Sequence, residues 1–170
     1  MKKKIAIGVV GLGLAICWLI AFIIVNKNYP KPNIVEVGRG EKVTHKGIEY
    51  ELLDVDVQKN FSDDLIADNL GENYLYTLTV KVKNTGEEQK IDLSEIELYR
   101  NDYSNGVVLE YFLDDNEDYS LYLEPGEEKI YRFPFVIYQN LFTDKQWKNI
   151  EKSDWKLLLN LYPDKIMIDL

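Results

Sequence analysis

Apolar and polar residues alternate along much of the chain beyond residue 33, a pattern that predicts β-strands. The clearest strand covers residues 74–83, and its apolar face consists of Tyr74, Tyr76, Leu78, Val80 and Val82. From Thr77 onward, threonine and lysine occupy the intervening positions. Because successive side chains of a strand point to opposite faces, we expect one face in a core and the other in solvent.

The segment 48–57 alternates as well, but its phase slips once. Ile48, Tyr50 and Leu52 share one face, and the apolar positions that follow, beginning at Leu53, are one residue out of step. One extra residue in an alternating strand is what a β-bulge introduces, because the period of a strand is two. The slip therefore predicts a bulge between Leu52 and Leu53.

Further alternating segments and turn signals extend this pattern to the C-terminus. Strands are predicted at Ile96–Arg100, Val107–Leu113, Tyr119–Leu123, Ile130–Tyr138, Trp155–Leu161 and Lys165–Ile168. Pro134 lies within one of them and favours a sheet edge or a bulge, because proline has no N–H to donate. About seven to nine short strands with regular turns indicate a mainly β fold, a β-sandwich of two sheets.

One stretch, residues 141–152, departs from the β pattern and predicts a short helix. Thr143 or Asp144 can cap its N-terminus, because their side-chain oxygens accept from free backbone N–H groups. Trp147 and Ile150 are then expected to face inward.

The N-terminus carries a long apolar segment. Ile5 to Val25 is a run of 21 residues without a charge, directly after Lys2, Lys3 and Lys4. A helix of about 20 apolar residues crosses a hydrocarbon core of about 30 Å. Since lysine favours the cytoplasmic side, the run predicts a single-pass anchor in the cell membrane, with its N-terminus in the cytoplasm and the remaining chain outside.

Two other interpretations of this segment are open. A cleaved secretory signal would have an apolar core of about 7–15 residues and a small-x-small site, which the residues around Val25 do not offer. Leu14 to Cys17 resembles a lipobox, in which Cys17 would carry a lipid, but Ile16 is not the small residue that such a site requires. We predict an uncleaved signal-anchor, with Cys17 as an apolar residue of the span.

The anchor divides the chain into residues 1–25 as membrane anchor, 26–33 as linker and 34–170 as extracellular sandwich. Pro30 and Pro32 favour an extended, stiff linker. The net charge is −9, and without the three N-terminal lysines 17 Lys+Arg remain against 29 Asp+Glu, a balance of −12. This acidity argues against nucleic acid as a partner, because nucleic acid requires clustered Lys and Arg.

Cysteine and histidine are almost absent, which limits the possible chemistry. Cys17 is the single cysteine, so the exported part forms no disulfide. Small secreted eukaryotic domains usually contain disulfides, and the sequence therefore favours a Gram-positive bacterium. His45 is the single histidine, which argues against zinc, copper and haem. No cofactor is expected.

Calcium needs only oxygen ligands, and the densest acidic turn offers Asp114, Asn116 and Asp118 as weak candidates. Tyr119 stands where the loop of an EF-hand requires glycine, so only a site of another type is possible there. The sequence contains no nucleophile motif and no phosphate-binding glycine loop. We therefore expect a protein that is not an enzyme.

Two motifs resemble those of a known family. One is the strand that ends in Asn84-Thr85-Gly86, and the other is the turn 123–127, Leu-Glu-Pro-Gly-Glu, which leads into Phe133-Pro134-Phe135. Together they resemble the exported bacterial domains of unknown function 4352, whose immunoglobulin-like sandwich is similar to a secreted mycobacterial immunogenic protein. The resemblance implies a sandwich outside the cell, from about Val35 to the C-terminus, and no catalytic residues.

These observations favour a membrane-anchored extracellular β-sandwich that binds a protein or cell-envelope partner without catalysis. A second hypothesis is an accessory or immunity subunit of an envelope machine, which acts partly through its transmembrane helix. A third is a carboxylate-based hydrolase, which requires two carboxylates about 5–10 Å apart in a cleft.

Overall fold

The computed structural model describes residues 2–61, 71–101 and 103–170, with side chains from residue 11 onward. Contacts divide the chain into two units, Met1–Asn33 and Ile34–Leu170. The first contains helix α1, Lys2–Asn28, which continues beyond Val25, the expected end of the span. It stops before Pro30, because the residue that precedes a proline is disfavoured in helical conformation.

Strands form most of the second unit. In chain order they are β1 (Asn33–Val37), β2 (Lys42–His45), β3 (Ile48–Lys59), β4 (Asn73–Asn84), β5 (Gln89–Lys90), β6 (Glu97–Arg100), β7 (Tyr103–Gly106), β8 (Tyr122–Leu123), β9 (Glu128–Tyr138), β10 (Lys156–Asn160) and β11 (Asp164–Asp169). The helices are α2 (Leu109–Asp115) and α3 (Asp144–Trp147), with 3-10 turns at Leu93–Glu95, Gln139–Leu141 and Ile150–Lys152.

Two sheets share one core. A five-stranded sheet has the order β1-β11-β10-β6-β7, a four-stranded sheet has the order β2-β3-β4-β9, and β5 pairs with β8 in a two-stranded ribbon. Fully buried side chains of the core come from both sheets: Leu52, Leu78, Phe133, Leu98, Leu157 and Ile168. Each contributes about 1.5–3 kcal/mol through burial. The predicted mainly β sandwich is confirmed.

The predicted bulge is present in β3. This strand pairs with β4 along its whole length, with Leu52 opposite Val80 and Asp54 opposite Thr79, which leaves Leu53 as the extra residue. The bulge restores the phase, because the apolar residues that follow it return to the core-facing side of the sheet.

The structure also agrees with the predictions for Pro134 and for the helix near residue 144. Pro134 lies in β9, at the edge of the four-stranded sheet. Thr143 caps α3, and Gln146 completes a capping box with it. Trp147 and Ile150 are both buried.

The strand prediction for Val107–Leu113 is wrong, because most of this segment forms α2. Val108, Tyr111 and Phe112 also fit the spacing of one helical face, and the structure follows that period. Tyr111 packs with Leu75 of β4 on the outer face of the four-stranded sheet. Helix α2 therefore covers part of the β4 face that the sequence analysis expected to be exposed to solvent. The strand expected at 119–123 is shorter and starts only at residue 122.

Asn84, which is fully buried, joins the two motifs noted in the sequence. Its Nδ2 donates to the Leu123 carbonyl at 2.9 Å, and its Oδ1 accepts from Gly86 N at 2.9 Å. Its backbone N–H donates to Glu127 O at 2.9 Å, and its carbonyl accepts from Gly126 N at 3.1 Å. The Asn-Thr-Gly and Leu-Glu-Pro-Gly-Glu motifs are thus two turns that the buried Asn84 joins.

Candidate functional site

A cleft of about 550 Å³ opens where the outer half of β3 passes the start of β4 and the segment 151–155. Its apolar and aromatic lining consists of Val55, Val57, Tyr74, Tyr76, Trp155 and Leu170. Its charged lining includes Arg39, Lys59, Glu151 and Asp154. We call this feature the aromatic cleft.

The aromatic cleft exists because β2 is shorter than β3. β2 pairs with β3 only from Ile48 to Glu51, whereas β4 accompanies β3 as far as Lys59. Near the bulge, Arg39 Nη2 donates to the Leu53 carbonyl at 3.1 Å. Beyond this point Val57 faces the core side of the sheet and is still 42% exposed.

Tyr74, Tyr76 and Trp155 line the cleft, and Trp147, in a neighbouring pocket, extends their row to four aromatic rings. Centroid distances are 5.3 Å from Trp147 to Tyr74, 6.4 Å from Tyr74 to Tyr76, and 5.7 Å from Tyr76 to Trp155. Hydrogen bonds fix both indoles: Trp147 Nε1 donates to Glu72 Oε2 at 3.0 Å, and Trp155 Nε1 donates to the Ile150 carbonyl at 3.1 Å. The rings are therefore held in place before any ligand binds.

Burial and hydrogen bonds shift the pKa values of the titratable groups in and beside the cleft. Burial, reinforced by a hydrogen bond from its hydroxyl to Glu151, raises the pKa of Tyr74. Burial raises the pKa of Tyr76 to about 12. The hydrogen bond from Trp147 lowers the pKa of Glu72. At neutral pH the two tyrosines of the cleft are thus neutral, and Glu72, beside the cleft, is ionised.

Lys59 marks the outer end of the cleft. Its Nζ lies 5.6 Å from the centroid of Tyr74 and 3.7 Å from Glu72 Oε2. Such a cation–π contact is worth about 0.5–1 kcal/mol at an exposed site. A ligand that enters here therefore meets apolar walls with charges of both signs at the rim.

His45 lies in a separate cavity of about 470 Å³ at the other end of β3. Its Nε2 is 3.6 Å from Glu95 Oε2, while Lys46 Nζ is 2.5 Å from Glu95 Oε1. Burial, with a smaller effect of Lys46, lowers the pKa of His45. The Ser94 hydroxyl donates to Asp92 Oδ1 at 2.7 Å, so it is not paired with this histidine as a nucleophile would be.

The three calcium candidates are distributed over the end of α2 and the loop that follows. Asn116 Nδ2 donates to Arg132 O at 3.0 Å, and its Oδ1 accepts from Arg132 N at 2.9 Å. Asp118 Oδ2 lies 2.9 Å from Lys129 Nζ, an interaction that lowers the pKa of Asp118. Asp114 lies in the last turn of α2. The described residues contain no group of three or more His, Cys, Asp or Glu that could hold a metal. Calcium binding there stays an untested prediction.

Helix α1 has the length and composition required to cross a membrane. Its window Gly11–Asn28 has a mean hydropathy of 1.7, and none of it is buried within the protein. Cys17 is a free, exposed thiol on this helix. These properties fit a signal anchor or a signal peptide equally.

Sequence reasoning placed Tyr74 and Tyr76 on a core face but did not find the cleft. The cleft could have been suspected from Val55 and Val57, which alternate with acidic residues. This alternation continues along β3 beyond the part that pairs with β2. Glu151 gave no signal, because its role depends on Tyr74, a residue distant in sequence.

The fold and the cleft define a β-sandwich domain attached to an N-terminal apolar helix. The chain belongs to the family described as domain of unknown function DUF5028, whose model matches residues 48–166. This is not the family that the two motifs resemble. No curated protein matches the chain significantly in sequence.

Several solved bacterial structures resemble this chain, and three of them show the shared fold. MPT63, a secreted protein from Mycobacterium tuberculosis, has a TM-score of 0.53 at 11% identity, with 83% of this chain and 99% of that chain covered. A functionally unknown protein from Listeria monocytogenes EGD-e has a TM-score of 0.50 at 14% identity, with 69% of each chain covered. A conserved hypothetical protein from Bacillus anthracis has a TM-score of 0.50 at 14% identity, with 77% and 94% covered. The expected similarity to a secreted mycobacterial protein is confirmed at the level of the fold.

Proposed function

We propose that this protein is displayed outside the cell of a Gram-positive bacterium on an uncleaved α1, and that its sandwich binds a protein or cell-envelope partner without catalysis. The aromatic cleft is the observation that carries the proposal. Lys2, Lys3 and Lys4 before the apolar run support the orientation, with the N-terminus in the cytoplasm. The kinship with the domains of unknown function 4352 is part of the same proposal and rests on two motifs.

The cleft has the properties of a recognition surface. Aromatic side chains are enriched at the centres of protein interfaces, where they supply large contact areas. The indole of Trp155 is already fixed by a hydrogen bond, so binding costs little entropy of this side chain. The tyrosine hydroxyls and the carboxylates at the rim can select a partner that carries donors or positive charge.

Site-specific crosslinking in the native membrane tests this proposal. A photoreactive amino acid at Val57, within the cleft, should capture one defined partner from cells that express the full chain. The matched control is the same group at Ile130, which is 60% exposed on β9. Capture of the same partner at both positions, or at Ile130 alone, would contradict binding at the cleft.

An accessory or immunity subunit that acts through α1 is the second candidate. The apolar surface of α1 favours it, because none of the window Gly11–Asn28 is buried within the protein. Replacement of this window by an unrelated apolar span separates the two candidates. Our proposal expects the partner captured at Val57 to be retained, whereas the alternative expects its loss.

A hydrolase is the third candidate, since Glu151 and Asp154 both line the cleft. Our proposal expects the full chain to turn over no envelope substrate. Turnover that is lost in Glu151→Gln would contradict it.

A further inference from the structure

The outer half of β3 is an open sheet edge in the part of the chain that the structure describes. Beyond Leu53, the ladder of β3 has β4 on one side and no described strand on the other. Such an edge presents backbone donors and acceptors to which an incoming strand can pair.

The direction of these backbone groups follows from Pro134. Opposite residues of an antiparallel ladder alternate between pairs that exchange hydrogen bonds and pairs whose backbone groups point away from each other. Pro134, opposite Thr77, has no N–H, and its carbonyl accepts from Val108 N at 2.9 Å. Thr77 must therefore direct its backbone groups to the other side, towards Asp56 of β3.

Alternation along β3 then assigns the neighbours of Asp56. Since Asp56 directs its N–H and C=O towards β4, Val55 and Val57 direct theirs towards the open edge. The contact at Leu53 agrees with this assignment, because its carbonyl accepts from Arg39 on the same side. Val55 and Val57 thus combine outward backbone groups with side chains in the aromatic cleft.

The opposite face of this half-strand is acidic. Asp54 Oδ1 lies 2.5 Å from Arg39 Nη2, and Asp56 Oδ2 accepts from Gln58 Nε2 at 3.1 Å. Gln58 and Thr77, the residues beside and opposite Asp56, are both neutral, so neither compensates its negative charge. A strand added at this edge would find apolar surface on the cleft side and negative charge on the other.

We propose that the partner binds as an extended peptide segment that adds to the four-stranded sheet along Val55 and Val57. Its apolar side chains enter the aromatic cleft, and its alternate side chains are lysine or arginine that face Asp54 and Asp56. This inference rests on the proposed function and specifies how the cleft is used. Main-chain hydrogen bonds supply affinity in strand addition, and the alternating side chains supply specificity.

A second copy of this chain fits the edge poorly. Pairing of two outer β3 halves would bring Asp54 and Asp56 of one copy near the same carboxylates of the other. Like charges opposite each other destabilise a strand pair. A cationic segment has the complementary charge pattern, which is why we assign the edge to a different molecule.

The test uses the full chain in nanodiscs of phosphatidylcholine, with binding measured by calorimetry. The probe is an acetylated and amidated peptide in which valine and lysine alternate over about six residues, a typical strand length. We expect one peptide to bind per chain. Two control peptides should bind at least about tenfold more weakly. One has the same composition with its valines and lysines in two separate blocks, and the other carries N-methyl groups on alternate amides.

Two protein variants isolate the backbone contribution. Val57→Pro removes the outward N–H, for which the described part of the chain shows no partner, and should weaken peptide binding about tenfold or more. Val57→Thr changes the same side chain but keeps this N–H, so it should weaken peptide binding clearly less than Val57→Pro does. Asp56→Asn should weaken binding a few-fold and reduce its dependence on salt. Thermal unfolding checks that each variant is folded. If Val57→Pro does not fold, the N-methylated peptide still tests strand addition, because it lacks the N–H groups that would donate to carbonyls of β3.

The possible failures are distinguishable. Equal binding by the N-methylated and unmodified peptides, or no binding of the alternating peptide, would overturn strand addition. A partner still captured at Val57 would leave the proposed function intact in that case. Self-association of the full chain that Val57→Pro abolishes would assign the edge to a second copy and overturn the assignment to a cationic peptide.

Discussion

Before its bulge, β3 runs between β2 and β4, and Leu52 is fully buried in the core. After the bulge, β4 is its one described sheet neighbour, and Val57 is 42% exposed. The two halves have almost the same sequence chemistry, since apolar residues alternate with acidic ones in both. Their different environments come from partners distant in the chain. An alternating pattern therefore specifies which face is apolar, but it does not specify whether another element covers that face.

The largest effect on stability should come from truncating an apolar side chain in the inner half of β3 and not in the outer half. Leu52→Ala removes a fully buried side chain and should lower the free energy of unfolding by about 2–5 kcal/mol. Val57→Ala, in the exposed half, should lower it by less than about 1 kcal/mol. Urea denaturation of both variants in the same detergent measures the difference. Equal losses would show that the outer half is as well packed as the inner half.

The next effect concerns the floor of the cleft. Tyr76 lies opposite Val57, and burial raises its pKa to about 12 from 10.0. Between these values the unfolded chain loses the proton before the folded one does. The contribution of protonated Tyr76 to the free energy of unfolding is therefore complete below pH 10 and is lost as the pH rises towards 12. Its size is about 2–3 kcal/mol.

Tyr76→Phe should remove this part of the alkaline loss of stability, as measured by urea denaturation between about pH 9 and 12. Tyr119→Phe is the control, because Tyr119 is 59% exposed. A slope that Tyr76→Phe leaves unchanged would mean that water reaches the floor of the cleft. The contrast between the two halves of β3 would then extend into β4.

The smallest effects are expected from surface ion pairs in the two halves. Arg39→Ala removes the pair with Asp54 beside the bulge, and Lys42→Ala removes the pair with Glu49 in the inner half. Both pairs are exposed, where water and salt weaken them, so each variant should change the free energy of unfolding only slightly. A much larger loss for Arg39→Ala alone would show that its hydrogen bonds to the Leu53 carbonyl hold the outer half in place.

Local rules predicted the features that depend on neighbouring residues. The phase slip gave the bulge at Leu53, the missing N–H gave the edge position of Pro134, and Thr143 was one of two proposed caps for α3. Each of these follows from the chemistry of a few residues in sequence.

Features that depend on distant contacts were missed. Residues 108–112 satisfy a strand period and a helix period together, and packing of Tyr111 against Leu75 accompanies the helical choice. The aromatic cleft depends on where β2 ends and on Glu151 meeting Tyr74, far from it in sequence. No local pattern contains that information.

Asn84 has a consequence for how such domains are recognised in genomes. Its hydrogen bonds join the Asn-Thr-Gly turn to the Leu123–Glu127 turn, so the two motifs satisfy a single structural constraint. Because each turn is held by the other through Asn84, the two motifs count as one structural feature, not as two independent ones. Because this turn does not line the aromatic cleft, proteins that share both motifs can differ freely in what they bind.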